Sequence, residues 1–334
     1  MAELTGLVTR FPHTAEFIGS SIDIDEDTTL TFVPGKGAPS TRSMLRDMAY
    51  DLCSMPIVNF LSAREHGLQV SALPIFPTRR LLHRMLICDR RQVRTPGDLE
   101  GKRIGIGYYG NTDSTWVRGL LADYGVDLRR ITWVTSSEEQ VPGVTLPPNV
   151  EHYEAGAKLG QYTGVPGAEL DSLLIAGEIA GVIYGRGELV YESGVLDLGA
   201  SDLGPIFDDV PAADLRWLRS KGFFPMMTVI VARDSVLARW PDLSAVMLYQ
   251  FTAAKQRALA RVSAYTAEDT NLARICGLAD AIGDGPIAAA LRPDPLPYGV
   301  EPNRQALATI VRYAFEQGVI EAMPSVDELF VPRS

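Results

Sequence analysis

A chain of 334 residues with 31 Lys and Arg against 41 Asp and Glu carries a formal net charge of −10, so it lacks the overall basic surface that a nucleic acid or an anionic membrane would require. Hydrophobic residues at 46% and charged residues at 22% are ordinary for a globular protein, no apolar stretch reaches bilayer-spanning length, and the size fits two domains rather than one core. The three cysteines, Cys53, Cys88 and Cys276, are too widely spaced to suggest a disulfide framework. No His/Cys/Asp/Glu cluster has the spacing of metal ligands, so no metal is expected.

Leu4 to Thr9 reads as a first strand, followed by the polar loop Arg10-Phe11-Pro12-His13-Thr14. Thr28 to Val33 is a second strand by its β-branched and aromatic residues, stopped by Pro34. Lys36 lies in a Pro-Gly-Lys-Gly loop that lacks the P-loop frame. Ser40 to Asp47 is a short helix, Tyr50 to Cys53 re-enters the sheet, and Ser54-Met55-Pro56 leaves it. A helix from Ile57 to Glu65 and a strand from Leu68 to Leu73 lead to residues 74–84, the most basic short stretch, with Arg79, Arg80, His83 and Arg84. Met85 to Asp89 is the next strand.

The stretch from Asp98 to Gly125 reads as a turn, a strand (Arg103 to Ile106), a glycine-rich loop and an amphipathic helix that Asn111 or Thr112 caps and Gly125 ends. Gly105, Gly107 and Gly110 spell the dinucleotide fingerprint, which also wants an acid about 20 residues further on. Here the following strand, Ile131 to Val134, runs into Thr135-Ser136-Ser137 with no acid before Glu138, and Tyr108 and Tyr109 crowd the loop. An anion-holding loop without a nucleotide, using amides at the helix start, is the better reading; a purely structural turn is the other.

Leu170 to Ile179 is a helix, Gly181 to Tyr184 a strand followed by Gly185-Arg186-Gly187, and Met227 to Ala232 a strand preceded by Phe223-Phe224-Pro225. Leu243, Val246, Met247, Phe251, Ala254, Ala258 and Val262 form the apolar stripe of a long helix. A proline-rich loop from Pro293 to Pro302 carries Tyr298, and Asn303 caps a last helix with Leu307, Ile310, Val311, Ala314 and Phe315 inward. Alternating strands and helices predict an α/β protein with mainly parallel sheets, whose ligands bind beyond the carboxyl ends of the strands.

Asp98 to Gly105 (DLEGKRIG) and Trp116 to Asp127 (WVRGLLADYGVD) resemble the 4,5-dihydroxyphthalate decarboxylase family. The resemblance takes in Tyr50-Asp51, Phe76-Pro77-Thr78-Arg79 with His83, Ala176 to Ile179, Phe224-Pro225-Met226-Met227, and Pro295 to Glu301 with Asn303-Arg304. It implies a type II periplasmic-binding-protein-like fold of two lobes, residues 1–84 with 230–334 and residues 85–229, each a mainly parallel sheet flanked by helices, with a ligand cleft between them. It further implies decarboxylation of a small hydroxylated aromatic acid, phthalate- or benzoate-like, without an organic cofactor. Thr228 stands where the family commonly has a histidine, and Leu82, Tyr108 and Tyr109 also depart from its pattern.

That chemistry needs cations for the carboxylates, a base for a phenol and an acid for the ring carbon. Arg79 is the expected carboxylate clamp, His83 the expected acid/base and His13 a second candidate. Arg79, Arg80 and Arg84 read otherwise as a solvated basic face, and a lone histidine as a structural one. Arg10, Ser54, Arg80, Tyr108, Tyr109, Asn111, Thr112, Arg186, Thr228 and Tyr298 are the expected substrate contacts. A non-catalytic solute-binding protein or sensor for a small carboxylate is the alternative. The N-terminus, with Glu3 and neither a basic nor a long apolar run, reads as that of a cytoplasmic protein. The expected partner is a small-molecule carboxylate, without nucleic acid or membrane, and self-association is left open.

Overall fold

The computed structural model describes residues 2–35, 38–153, 168–185 and 202–330. Among these the strands run β1 (Ala2–Val8), β2 (Ser21–Asp25), β3 (Thr28–Pro34), β4 (Leu52–Pro56), β5 (Val70–Leu73), β6 (Leu86–Asp89), β7 (Arg103–Ile106), β8 (Thr132–Thr135), β9 (Val150–His152), β10 (Gly181–Ile183), β11 (Leu203–Pro205) and β12 (Thr228–Arg233). The chain divides into two compact units, one of Met1–Arg80, Phe223–Thr309 and Pro324–Ser334, the other of Leu81–Gly222 and Ile310–Met323.

The first unit holds a sheet of order β2-β3-β1-β4-β12-β5. β1 runs parallel to β3 and β4, whereas β2 and β12 run against their neighbours. The second unit holds a sheet of order β11-β6-β10-β7-β8-β9, parallel from β10 through β9, with β6 antiparallel to β10 and β11. Both sheets are therefore mixed, and the expectation of mainly parallel ones needs that correction: apolar periodicity marks a strand but carries no information on its direction. Strands β2, β9 and β11 escaped the sequence reading because they are short edge strands, and β2 alternates only between half-buried and exposed residues.

Each sheet has its own core. In the first unit Leu30, Phe32, Leu52, Ile230 and Phe251 pack together, with the Phe17 ring stacked on Phe251 at 4.3 Å. The helix Leu243–Ala260 buries the expected stripe of Leu243, Met247, Phe251, Ala254 and Ala258, and with it Lys255. In the second unit Ile87, Val134, Leu170, Leu174 and Val182 form the centre. Cys53, Cys88 and Cys276 are free and buried, and burial pushes the Cys53 and Cys276 thiols up to about 12, so all behave as small apolar groups.

The helix Thr112–Asp123 begins where its sequence says it should, with the Asn111 side chain accepting from the Ser114 amide at 3.2 Å and Gly125 taking a left-handed φ of 85° past its end. Trp116 is fully buried on it, edge-on to Tyr313 at 5.7 Å. A Cβ at Gly119 would lie 2.1 Å from the Tyr313 ring, so only glycine admits that close approach. The Tyr313 hydroxyl donates to Asp123, which explains why residues 310–323 group with the middle of the chain. Two expectations for the last helix, Arg304–Glu316, change: Phe315 is exposed, and the Asn303 side chain bonds to the Pro297 and Gly299 carbonyls and to Arg79 rather than serving as a cap.

Gly277 has a φ of 82°, and a Cβ there would stand 2.0 Å from the Arg79 carbonyl oxygen. Backbone strain and overpacking act together at that position, so Gly277→Ala should cost about 3 kcal/mol or more in urea denaturation. Gly283→Ala, at a position with open space and an ordinary φ, should be close to neutral in the same measurement.

Candidate functional site

The parallel strands β1 and β4 end at Val8 and Pro56, and the antiparallel β12 starts beside Pro56 at Thr228. The loops after β1, β4 and β5 therefore meet at the carboxyl end of the first sheet, the usual ligand end of such sheets. The loop after β1 is closed by Thr14, whose hydroxyl donates to the Thr9 carbonyl at 2.6 Å and accepts from the Phe11 amide at 2.9 Å. The loop after β5 is tied to β12, with the Thr228 hydroxyl donating to the Thr78 hydroxyl at 3.0 Å and the Met227 amide to the Thr78 carbonyl at 2.7 Å. Ser54 is buried on β4 opposite Ile230.

His13 is fully buried here. Its Nε2 lies 2.8 Å from the Pro77 carbonyl, and because a carbonyl only accepts, Nε2 carries the proton and Nδ1 keeps its lone pair. Nδ1 has no partner among the described residues. Burial pushes His13 down to about 4, against the pull of the Pro77 carbonyl, and the Lys255 charge adds to the depression. Near neutrality His13 is an uncharged base.

Beside it, the Lys255 ammonium donates to Asp294 Oδ2 at 2.6 Å and to the Leu296 carbonyl at 2.7 Å, and sits 4.5 Å from the centre of the Tyr298 ring. The Tyr298 hydroxyl is buried without a partner among the described residues, and burial raises its phenol so that it stays protonated. Lys255 was missed by the sequence reading. Its spacing from Phe251 and Ala258, four and three residues away on a helix whose buried stripe they share, was the available signal.

Arg79 is also fully buried, and its geometry corrects the role expected of it. Nη1 donates to the Phe224 carbonyl at 2.5 Å, and Nη2 to the Pro297 carbonyl at 2.9 Å and to Asn303 Oδ1 at 2.5 Å. The fork that would clamp a carboxylate is spent on the protein itself, which leaves Nε alone unpartnered. Burial holds the guanidinium down to about 10, and it forms no ion pair among the described residues. It contributes positive charge at close range. Arg10 is exposed, and Arg80 is half-buried with Nε donating to the Ile275 carbonyl, so neither joins this cluster.

In the second unit His83 is buried with both ring nitrogens engaged. Asp214 Oδ1 accepts from Nδ1 at 2.6 Å, and Nε2 lies 3.0 Å from the hydroxyl of the partly exposed Tyr124. Any proton exchange between His83 and a ligand has to pass through Tyr124. Tyr108 and Thr112 are buried, the Tyr109 hydroxyl donates to the Gln317 carbonyl at 2.8 Å, and the Asn111 carboxamide oxygen caps its own helix. Arg186 lies outside the described residues. No group of three or more His, Cys, Asp or Glu among the described residues is close enough to hold a metal ion, and no described helix is long and apolar enough to cross a membrane.

The chain is 29% identical over 232 residues to 4,5-dihydroxyphthalate decarboxylase of Comamonas testosteroni, covering 68% of this chain and 67% of that one. The Pseudomonas putida protein of the same name is 27% identical over 206 residues, covering 59% and 72%. The chain is a divergent relative of these decarboxylases. Residues 25–176 also match a family described as NMT1/THI5 like. Among solved structures, the alkanesulfonate-binding protein SsuA from Xanthomonas axonopodis pv. citri, bound to MOPS, matches with a TM-score of 0.54 over 100% of this chain and 99% of that one, at 12% identity. At that identity the likeness is one of fold, which is the periplasmic-binding-protein fold.

Three of the segments that carry the likeness to the decarboxylases, Phe76–Arg79, Phe224–Met227 and Pro295–Asn303, converge on the Arg79 guanidinium. These segments, on which the resemblance read in the sequence rests, thus lie next to Lys255 and Tyr298, whereas Tyr109 and Asn111 are engaged within the second unit.

Two outcomes follow. Arg79→Gln strands the Phe224 carbonyl and Asn303 Oδ1, since the Pro297 carbonyl keeps its bond from Asn303 Nδ2, and should lose about 2 kcal/mol or more in urea denaturation. His13 binds its proton near 6.5 when unfolded and only near 4 when folded, so its contribution is present above 6.5 and is lost as pH falls through that window. Between pH 7 and pH 4 the protein should lose about 3 kcal/mol that His13→Gln does not lose.

Proposed function

We propose that this chain is a decarboxylase of a small hydroxylated aromatic carboxylic acid, phthalate- or benzoate-like, acting at the carboxyl end of the first sheet. The observation that carries the reading is the free Nδ1 lone pair of His13, buried within the field of Lys255, which in turn lies in the field of Arg79. The names of the two decarboxylase relatives support the reaction class.

The chemistry follows from the groups present. His13 Nδ1 accepts the proton of a ring hydroxyl, and the resulting phenolate directs electron density to the ring carbon that bears the carboxylate. That carbon takes up the proton that His13 Nδ1 now holds, its bond to the carboxylate breaks with the electron pair returning to the ring, CO2 leaves, and the product phenolate regains a proton from solvent. The substrate's own ring is the electron sink, so the route calls on no organic cofactor. Lys255 and Arg79 favour the anion that forms, and their fields act in a dry site where they are little screened. A bound anion also opposes the depression of His13, which makes the imidazole a stronger base when substrate is present than when it is absent.

The test is CO2 release from 4,5-dihydroxyphthalate and a panel of hydroxybenzoates. The wild type should release CO2 from at least one of them. His13→Asn should lower kcat on the order of 100-fold or more while the circular dichroism spectrum is unchanged, and His83→Asn should stay within a few-fold of wild type. Thermal stabilisation by these acids with no CO2 from any of them would refute the decarboxylase reading in favour of a carboxylate-binding protein. Equal losses in the two histidine variants would refute the role given to His13.

A further inference from the structure

The glycine-rich loop between β7 and the helix Thr112–Asp123 is not used by the reaction above, yet it already holds a carboxylate. The Tyr109 amide donates to Glu139 Oε1 at 2.6 Å and the Gly110 amide to Oε2 at 3.0 Å, so both oxygens of the Glu139 side chain sit on consecutive main-chain N–H groups. Gly110 has to be glycine for this, since a Cβ there would stand 2.9 Å from Oε2. Glu139 comes from the loop after β8, the strand that pairs with β7, so the register Ile106↔Thr135 brings the two loops together.

A second observation marks this loop as an anion site rather than a turn that happens to be tied. Arg118 is fully buried on the same helix, its guanidinium 3.8 Å from the centre of the Tyr109 ring, with Nη2 donating to the Tyr109 carbonyl at 2.8 Å and Nε to Gln317 Oε1 at 2.7 Å. Its Nη1 has no partner, and it forms no ion pair among the described residues. A buried cation with a donor to spare thus flanks two amides that grip a carboxylate. Burial raises the Glu139 carboxyl in spite of these donors, so its ionised form is held there under a desolvation penalty.

We propose that the Gly107–Thr112 loop is a binding nest for the carboxylate of a small organic acid, and that Glu139 is its built-in occupant, competing in cis with any free carboxylate. This is independent of the decarboxylation reading, because it concerns which anion the nest accepts and not what happens to it.

The test compares melting temperatures in sodium acetate and in sodium chloride at matched ionic strength, so its outcome does not depend on activity. Wild type should differ little between the two salts, since its nest is filled. Glu139→Ala should melt about 5 °C lower in chloride and regain at least half of that in a few hundred millimolar acetate. Should Glu139→Ala fail to fold, Glu139→Gln carries the same test, because its NH2 cannot accept from the second amide, and acetate should raise its melting temperature by more than it raises that of wild type. If in the folded variant acetate stabilises no better than it does in wild type, Glu139 is a structural tie and the nest takes no free carboxylate.

Discussion

The first unit depends on one buried cation. The Arg79 guanidinium joins a loop after β5 to the Phe224–Pro225 turn, the proline-rich loop at Pro297 and the start of the last helix at Asn303, partners 145, 218 and 224 residues away in sequence. Near neutrality the guanidinium keeps its proton, so the site carries that charge, hydrogen-bonded by carbonyl and carboxamide oxygens, with Asp294 acting on it at longer range. The carboxyl end of the sheet is therefore built around a positive charge that makes no contact ion pair among the described residues. Burial keeps the His13 imidazole free of its proton, and the Lys255 charge adds to that effect.

Much of the framework was legible in the sequence because it follows from local patterns. The stripe from Leu243 to Ala258, the Asn111 cap, Gly125 past the helix end and the β-branched run of β3 are each written in a handful of neighbouring residues. What was not legible depends on partners far along the chain. Five donors on an arginine suggest a carboxylate clamp, and nothing near Arg79 in sequence says that carbonyls at Phe224 and Pro297 take them instead. His83 reads as an acid/base group until Asp214, 131 residues away, engages its Nδ1. The direction of β12, and hence the mixed character of the first sheet, is likewise set by where the chain re-enters.

The glycine-rich loop shows both sides of this. Its composition marks a place where main-chain amides meet an anion, as they do with Glu139, and the missing acid at the end of the next strand argues against a dinucleotide. The occupant came from Glu139, just beyond the Ser136-Ser137-Glu138 run at which that argument stopped. An internal carboxylate in an amide nest also explains how two large tyrosines fit there: Tyr109 points its hydroxyl at the Gln317 carbonyl and offers its ring to Arg118, so it serves the frame of the second unit.

Arg79 and Arg118 give each unit a buried cation without an ion-pair partner among the described residues, inside a protein whose formal net charge is −10. Each of these cations is answered mainly by carbonyl, carboxamide or aromatic groups rather than by a contact ion pair. At long range a net charge of −10 repels acids, so a cation held in the interior acts only at short range.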